Sequence, residues 1–198
     1  MSLALPLVVR TATRADVPAL NTLIAASARV LSVGYYTPEQ IDAAVTYVFG
    51  VDSGLVDDGT YFVVEVEGRI VGCGGWSRRG ALYGGDQRPM ELAPRLDPAT
   101  EPARIRAFFV APGWERRGIG GRLLTECRAA AEAEGFTSFE LMATLPGVPL
   151  YARYGFREVE RVTDRMPSGV VLEFVRMRRQ GGDSLVVEWP ATVSNPPR

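Results

Sequence analysis

Three glycines, Gly118, Gly120 and Gly121, stand among three arginines, Arg116, Arg117 and Arg122. They follow an apolar run, Ala107-Phe108-Phe109-Val110, that breaks at Pro112-Gly113, and they open a helical pattern. Glycine lets a ligand approach the backbone, and a helix start offers unpaired N–H groups and the positive end of a dipole. Arginine adds charge. Together these features suit a phosphate or pyrophosphate.

Two known phosphate turns can be compared with this one. A P-loop needs a lysine and a hydroxyl after its last glycine, but Arg122-Leu123 follows Gly121, which excludes it. A dinucleotide turn needs a third glycine where Leu123 stands. Glu140 lies at a suitable separation for a ribose contact, so that reading stays open at this level.

The rest of the chain narrows the chemistry. Its 198 residues suit one domain with a sizeable core, and 46% apolar with 23% charged residues is a globular balance. A net charge of -1 gives no sign of nucleic acid as a partner. There is no histidine, which removes the usual general base, and no paired CxxC, so no metal is expected. Cys73 and Cys127 sit in apolar runs and read as core thiols of a reducing compartment. The start resembles no signal peptide, and no stretch approaches the ~20 apolar residues of a membrane span. A cytoplasmic protein that does not engage a membrane is expected.

The elements that would carry the glycine turn follow from local pattern. Leu7–Arg10 reads as a strand, and Thr13 with Asp16 as a capped helix start. Thr37-Pro38-Glu39 starts a second helix that ends near Gly50. Residues 60–77 read as a hairpin turning at Glu67-Gly68. On its return strand Gly72, Gly74 and Gly75 mark either a weak or bulged strand or a close approach by a ligand. The segment 78–102 is a loop too long to be a plain connection, hence functional or disordered. Then come a strand at Arg104–Val110, a helix at Gly118–Glu134 stopped by Gly135, a strand around Phe139–Met142, a short helix at Pro149–Tyr154 stopped by Gly155, and two last strands.

The run from Val110 to Leu124 closely resembles the acetyl-CoA motif of the GNAT superfamily of N-acetyltransferases. That motif is valine, proline, an aromatic, basic residues and G-(I/L)-G, followed by a helix with paired leucines. "LYARYGF", Leu150 to Phe156, resembles the family's second marker, and the element order matches over residues 7–178. Glu115 departs from the usual arginine or glutamine, and Thr144 from a common asparagine.

The resemblance implies an α/β (α+β) fold, a mixed and mostly antiparallel sheet of about seven strands flanked by about four helices. It implies one acetyltransferase domain over residues 1–178, with 179–198 as a tail that is mobile or adds a strand within "SLVVEW". The implied activity is transfer of acetyl from acetyl-CoA to a primary amine by direct attack on the thioester; the alternative is a non-catalytic CoA-binding module. Carried over residue by residue, Phe108, Phe109 and Val110 line the pantetheine arm. Arg116, Arg117, Gly118, Ile119, Gly120, Gly121 and Arg122 cradle the phosphates, Thr144 meets the cofactor, and Tyr151 is the acid for the leaving thiolate. Tyr35, Tyr36, Trp76, Tyr83, Arg78, Arg79 and Asp86 fall where the family builds its acceptor face, which suits a small amine or a protein amine. Glu65, Asp86, Glu91 and Glu140 are base candidates by position. A homodimer is compatible with the sequence, which selects no oligomeric state.

Overall fold

The computed structural model describes residues 4–88, 93–181 and 192–194. Strand β1 is Ala4–Thr11. Helix α1, Val17–Leu31, follows a short 3-10 turn whose start is the Thr13–Asp16 capping box. Helix α2, Pro38–Tyr47, starts at Thr37, whose side chain accepts from the Gln40 N–H. A third helix, the short α3 at Ser53–Asp57, is not among the expected elements; the Asp52 carboxylate caps it by accepting from the Leu55 N–H. It brings the helices to five rather than about four.

Strands β2, Tyr61–Val66, and β3, Arg69–Ser77, form the expected hairpin. Glu67 and Gly68 both have positive φ, 51° and 76°, as a tight two-residue hairpin requires. Strand β4, Ala103–Val110, leads into α4, Ile119–Ala133. Helix α4 stops at Gly135, φ 92°, where the N–H of Phe136 reaches back to the Ala131 carbonyl. Strand β5, Ser138–Thr144, helix α5, Val148–Arg153, and strands β6, Arg157–Arg165, and β7, Val171–Gln180, follow.

The sheet order is β6-β7-β5-β4-β3-β2-β1, with a short β8, Thr192–Ser194, added against β1. Every pairing is antiparallel except β4 with β5. The mixed, mostly antiparallel sheet therefore stands as expected, with one strand more. The segment "SLVVEW" lies outside the described residues. Among the described residues no helix is long and apolar enough to cross a membrane.

The β3 glycines have a plain explanation. A Cβ on Gly72 would lie 2.4 Å from Ile119, one on Gly74 2.3 Å from the Phe108 ring, and one on Gly75 2.6 Å from the Tyr61 ring. The close approach is by the protein's own side chains, together with a shift of register between Cys73 and Gly75. The extra residue of that shift lies on β4, and the glycines make room for the side chains that pack against β3.

Candidate active site

Strands β4 and β5 run together only where Ala103–Ile105 face Phe139–Leu141. Beyond that, among the described residues, no strand pairs with the β5 side of β4. The cause lies in β4 itself. Between its pairs Phe109–Cys73 and Arg106–Gly75 it carries one residue more than β3. Such a bulge bends a strand and takes a residue out of the ladder. Ala107 adopts a left-handed φ of 54°, uncommon for a residue with a Cβ. Its carbonyl accepts a 3.0 Å hydrogen bond from the fully buried Tyr61 hydroxyl. Burial raises the Tyr61 phenol well above its ordinary pKa, which keeps it a donor.

Where the strands part there is a cleft of about 610 Å³, its open mouth included. Ala107, Phe108 and Phe109 form one wall; Met142, Thr144 and Phe174 form another. Tyr151, the Val48–Gly50 link and the Leu82–Gly84 segment of the long loop complete the lining. Arg106 also belongs to it. Its guanidinium is buried and donates to the carbonyls of Ala81 and Gly84, at 2.9 and 2.7 Å, and to Asp52 at 2.7 Å. These bonds tie the loop to β4. Burial raises the Asp52 carboxyl, and the Arg106 charge opposes the shift. A second, wider groove of about 1230 Å³ adjoins the cleft across Tyr83, Gly84 and Arg106, which line both.

Tyr151 owes its position to the glycine four residues on. Gly155, φ 80°, ends α5 with its N–H on the Ala152 carbonyl, and the Phe156 N–H reaches back to the Tyr151 carbonyl at 3.1 Å. This helix stop brings the Phe156 ring edge-on to Tyr151 at 5.9 Å. The Phe108 ring lies 6.1 Å away on the cleft side. Burial pushes the Tyr151 phenol up, with a smaller push from Cys127, so it stays protonated at neutral pH.

At the start of α4, Gly118 takes the left-handed φ of 84° and provides no side-chain cap. The first N–H groups of the helix are therefore free of a side-chain acceptor, the arrangement that accepts an anion. Trp114 is buried under the turn, and the Arg117 guanidinium lies 5.6 Å from its ring.

A family model described as an acetyltransferase (GNAT) domain matches residues 57–158, just over half of the chain. The chain belongs to the GNAT acetyltransferase family. No curated protein sequence matches it significantly. Among solved structures it resembles a GCN5-related N-acetyltransferase from Rhodopseudomonas palustris, with a TM-score of 0.66 at 19% identity over 91% of this chain and 98% of that one. The PaiA N-acetyltransferase of Thermoplasma acidophilum, in complex with coenzyme A, has a TM-score of 0.59 at 12% identity over 88% and 98%. The acetyltransferase yncA of Salmonella typhimurium, with its cofactor acetyl-CoA, has 0.58 at 14% over 91% and 97%. At these identities the likeness is one of fold.

Within the GNAT frame the expected site residues fall into three groups. Phe108, Phe109, Thr144, Tyr151 and Tyr83 meet in the cleft. Arg116, Arg117, Gly118, Ile119, Gly120, Gly121 and Arg122 gather at the α4 start, where Arg122 pairs with Glu126 at 2.8 Å. A Cβ on Gly120 would meet Leu150 of α5 at 3.0 Å, so this glycine also sets the approach of the two helices. Val110 pairs with Gly72 at the strand end.

The third group lies elsewhere. Tyr35 is exposed on the link between α1 and α2. Tyr36 is buried, its hydroxyl donating to the Glu173 carbonyl at 2.6 Å and accepting from the Leu145 N–H at 3.1 Å. Trp76 is buried edge-on to Phe136 at 5.8 Å. Neither of these two rings is placed in the cleft. Of the base candidates, Glu65 pairs with Arg10, and Glu140 is buried between Arg104 and Arg176. Asp86 faces the groove and accepts from the Ser53 N–H, and Glu91 lies outside the described residues. Among the described residues no group of three or more His, Cys, Asp or Glu is placed to hold a metal.

Sequence reasoning missed Phe49, Met142, Phe174 and Arg106. The first three carry only the ordinary signal of core residues, and Arg106 reads as an exposed charge in a strand.

Proposed function

We propose that this chain is an acetyl-CoA-dependent N-acetyltransferase that moves an acetyl group to a primary amine by direct attack on the thioester. The observation carrying this is the parting of β4 from β5 beside Tyr151, with the uncapped start of α4 set close against α5 at Gly120 and Leu150. Solved neighbours that hold coenzyme A or acetyl-CoA agree with it.

The residues fit the group. The free N–H groups of the first α4 turn, with Arg116 and Arg122, hold the phosphates. One of the arginines reaches the 3′-phosphate. The unpaired side of β4 from Phe108 to Val110 holds the pantetheine amides as an added strand would. Acetyl-CoA supplies the activated acyl carbon. A backbone N–H near Val110 would be the donor to the thioester oxygen, a contribution of ~3 kcal/mol as charge develops there. In the transfer the amine nitrogen forms a C–N bond, the C–S bond breaks, the amine loses one proton and the sulfur gains one.

Tyr151 serves the sulfur. A phenol raised by burial is a weaker acid than a thiol, whose ordinary pKa is ~8.5, so full proton transfer to the thiolate runs uphill. The role that fits is a hydrogen bond to sulfur as its charge grows, with water as the final proton source.

The test has two readouts. Acetyl-CoA at a hundredfold excess over Kd stabilises the fold by ~2.7 kcal/mol, and NAD does not. Thiol release then appears with an amine pool. Stabilisation without release from any amine would support the non-catalytic module. Stabilisation by NAD alone would move the glycine turn to dinucleotides.

A further inference from the structure

We propose that the acceptor is a primary amine on an apolar or aromatic body with no second cationic group, the arylalkylamine class. It is bound in the cleft between β4, β5 and the Leu82–Gly84 segment. This rests on the acetyl-transfer reading and narrows its substrate.

The lining decides the class. Phe49, Leu82, Met142 and Phe174 enclose the acceptor side with aliphatic and aromatic surface. Tyr83 stacks on Phe174 at 6.0 Å with planes 23° apart, and its hydroxyl donates to Asp164 at 3.1 Å, so this wall is preformed. An aromatic body gains from such a wall through offset or edge contacts.

Charge points the same way. The charged side chain in the lining is Arg106, a cation. No aspartate or glutamate is among the described lining residues. Asp52 is turned to the groove side and held by Arg106 and the Leu55 N–H. A polyamine or lysine-rich peptide would bring a second cation beside a guanidinium, with no carboxylate among the described lining residues to receive it. The reacting amine fares differently. Burial in apolar surroundings favours the neutral form of an amine, lowering its pKa by up to 3–5 units. The cleft thereby delivers the nucleophile in its reactive form where its lining offers no base.

The experiment compares 2-phenylethylamine, hexylamine, spermidine and a lysine-rich peptide under saturating acetyl-CoA, by thiol release. The expected kcat/KM for 2-phenylethylamine exceeds that for spermidine by at least about tenfold, the scale of one uncompensated buried cation. Met142→Glu, which puts a carboxylate in the lining, narrows or reverses that ratio. Should that variant not fold, calorimetric titration of the wild-type chain saturated with CoA replaces it: 2-phenylethylamine binds and spermidine does not. A preference for spermidine or the peptide overturns the class while leaving acetyl transfer standing. If no amine is acetylated, acetyl transfer fails and the titration alone decides the cleft. Binding of 2-phenylethylamine supports the assignment, and absence of binding overturns it.

Discussion

Arg106, Tyr83 and Gly84 are shared by two hollows that differ in their charged side chains. On one side the cleft is walled by aromatic and aliphatic side chains. On the other the groove carries Asp52, Asp57, Asp58 and Asp86 with Arg79 and Arg88. The groove is the larger and by charge the more conspicuous. Most of its charges are nevertheless used in pairs: Asp57 with Arg14, Asp58 with Arg79, Asp52 with Arg106, and Arg88 with Asp164 across to β6, while Asp86 accepts from the Ser53 N–H. Paired charges near water leave little net field and little binding energy. The cleft carries fewer charges, and electrostatic effects on a reacting centre grow wherever bound ligands exclude water. A polar surface and a reactive site are therefore different things here, and the difference can be tested from both sides.

The largest effect is expected at the shared wall. Arg106→Met leaves Asp52 without its cation and removes the donor from the Ala81 and Gly84 carbonyls. Removing one partner of a buried pair costs about 3–5 kcal/mol. Urea unfolding should show that loss, and the double variant Arg106→Met/Asp52→Leu should recover part of it. A loss under about 1 kcal/mol would mean that the pair is solvated and that the two hollows are one.

Next comes the apolar side. Gly74→Ala forces a methyl to within 2.3 Å of the Phe108 ring. Overpacking of this kind costs about 1–3 kcal/mol. The melting temperature should fall by roughly 3–10 °C for a chain of this size. Acetyl transfer should fall with it, because Phe108 is displaced at the cleft wall. An unchanged melting temperature would show that the ring has room to move and that the glycine is not its seat.

Tyr151→Phe tests the chemistry in the cleft. The rate should fall by roughly 10²-fold, the low end for losing one preorganised hydrogen-bond donor to developing charge, because the thiol is itself a fair leaving group. Cofactor affinity should hold. The pH dependence has a definite sign. Burial raises the folded-state pKa of this phenol above its unfolded value of ~10. Below pH ~10 both states keep the proton and the group adds no pH dependence. As pH rises above ~10 the unfolded phenol ionises first, so stability falls with pH. Tyr151→Phe should make that alkaline loss shallower in equilibrium unfolding. An identical alkaline slope would show a phenol open to water, with no burial to exploit.

What could be read from the sequence divides along similar lines. Features dictated by local geometry were legible: Gly68 in a two-residue hairpin, Thr37 as a cap, Gly155 as the stop that positions Tyr151. Each depends on residues within a few places of it. Features that depend on distant partners were not. Nothing about Ala107 announces a left-handed residue; its conformation is held by Tyr61 and fits around Gly74 and Phe108. Tyr36 looked like an exposed aromatic for an acceptor, but its hydroxyl ties Leu145 to Glu173, over a hundred residues on. The acceptor side of the cleft combines Phe49, Leu82 and Phe174 from three separate segments, none with a motif of its own.

The smallest effect should come from the groove. Arg79 meets Asp58 at 3.7 Å, with about a quarter of each side chain in water, 23% and 27%. Such a pair gains a little Coulomb energy, loses side-chain freedom and is screened by salt. Arg79→Ala should therefore change the unfolding free energy by about 0–1 kcal/mol. Raising the salt to 1 M, where the screening length is ~3 Å, should shrink even that difference. Turnover of 2-phenylethylamine should change by less than about twofold, since Arg79 lines the groove and not the cleft. A tenfold loss of kcat/KM at low salt that disappears at high salt would carry a different meaning. It would show that an acceptor enters along the groove and is steered by its charges, and that the paired aspartates and arginines do more than neutralise one another.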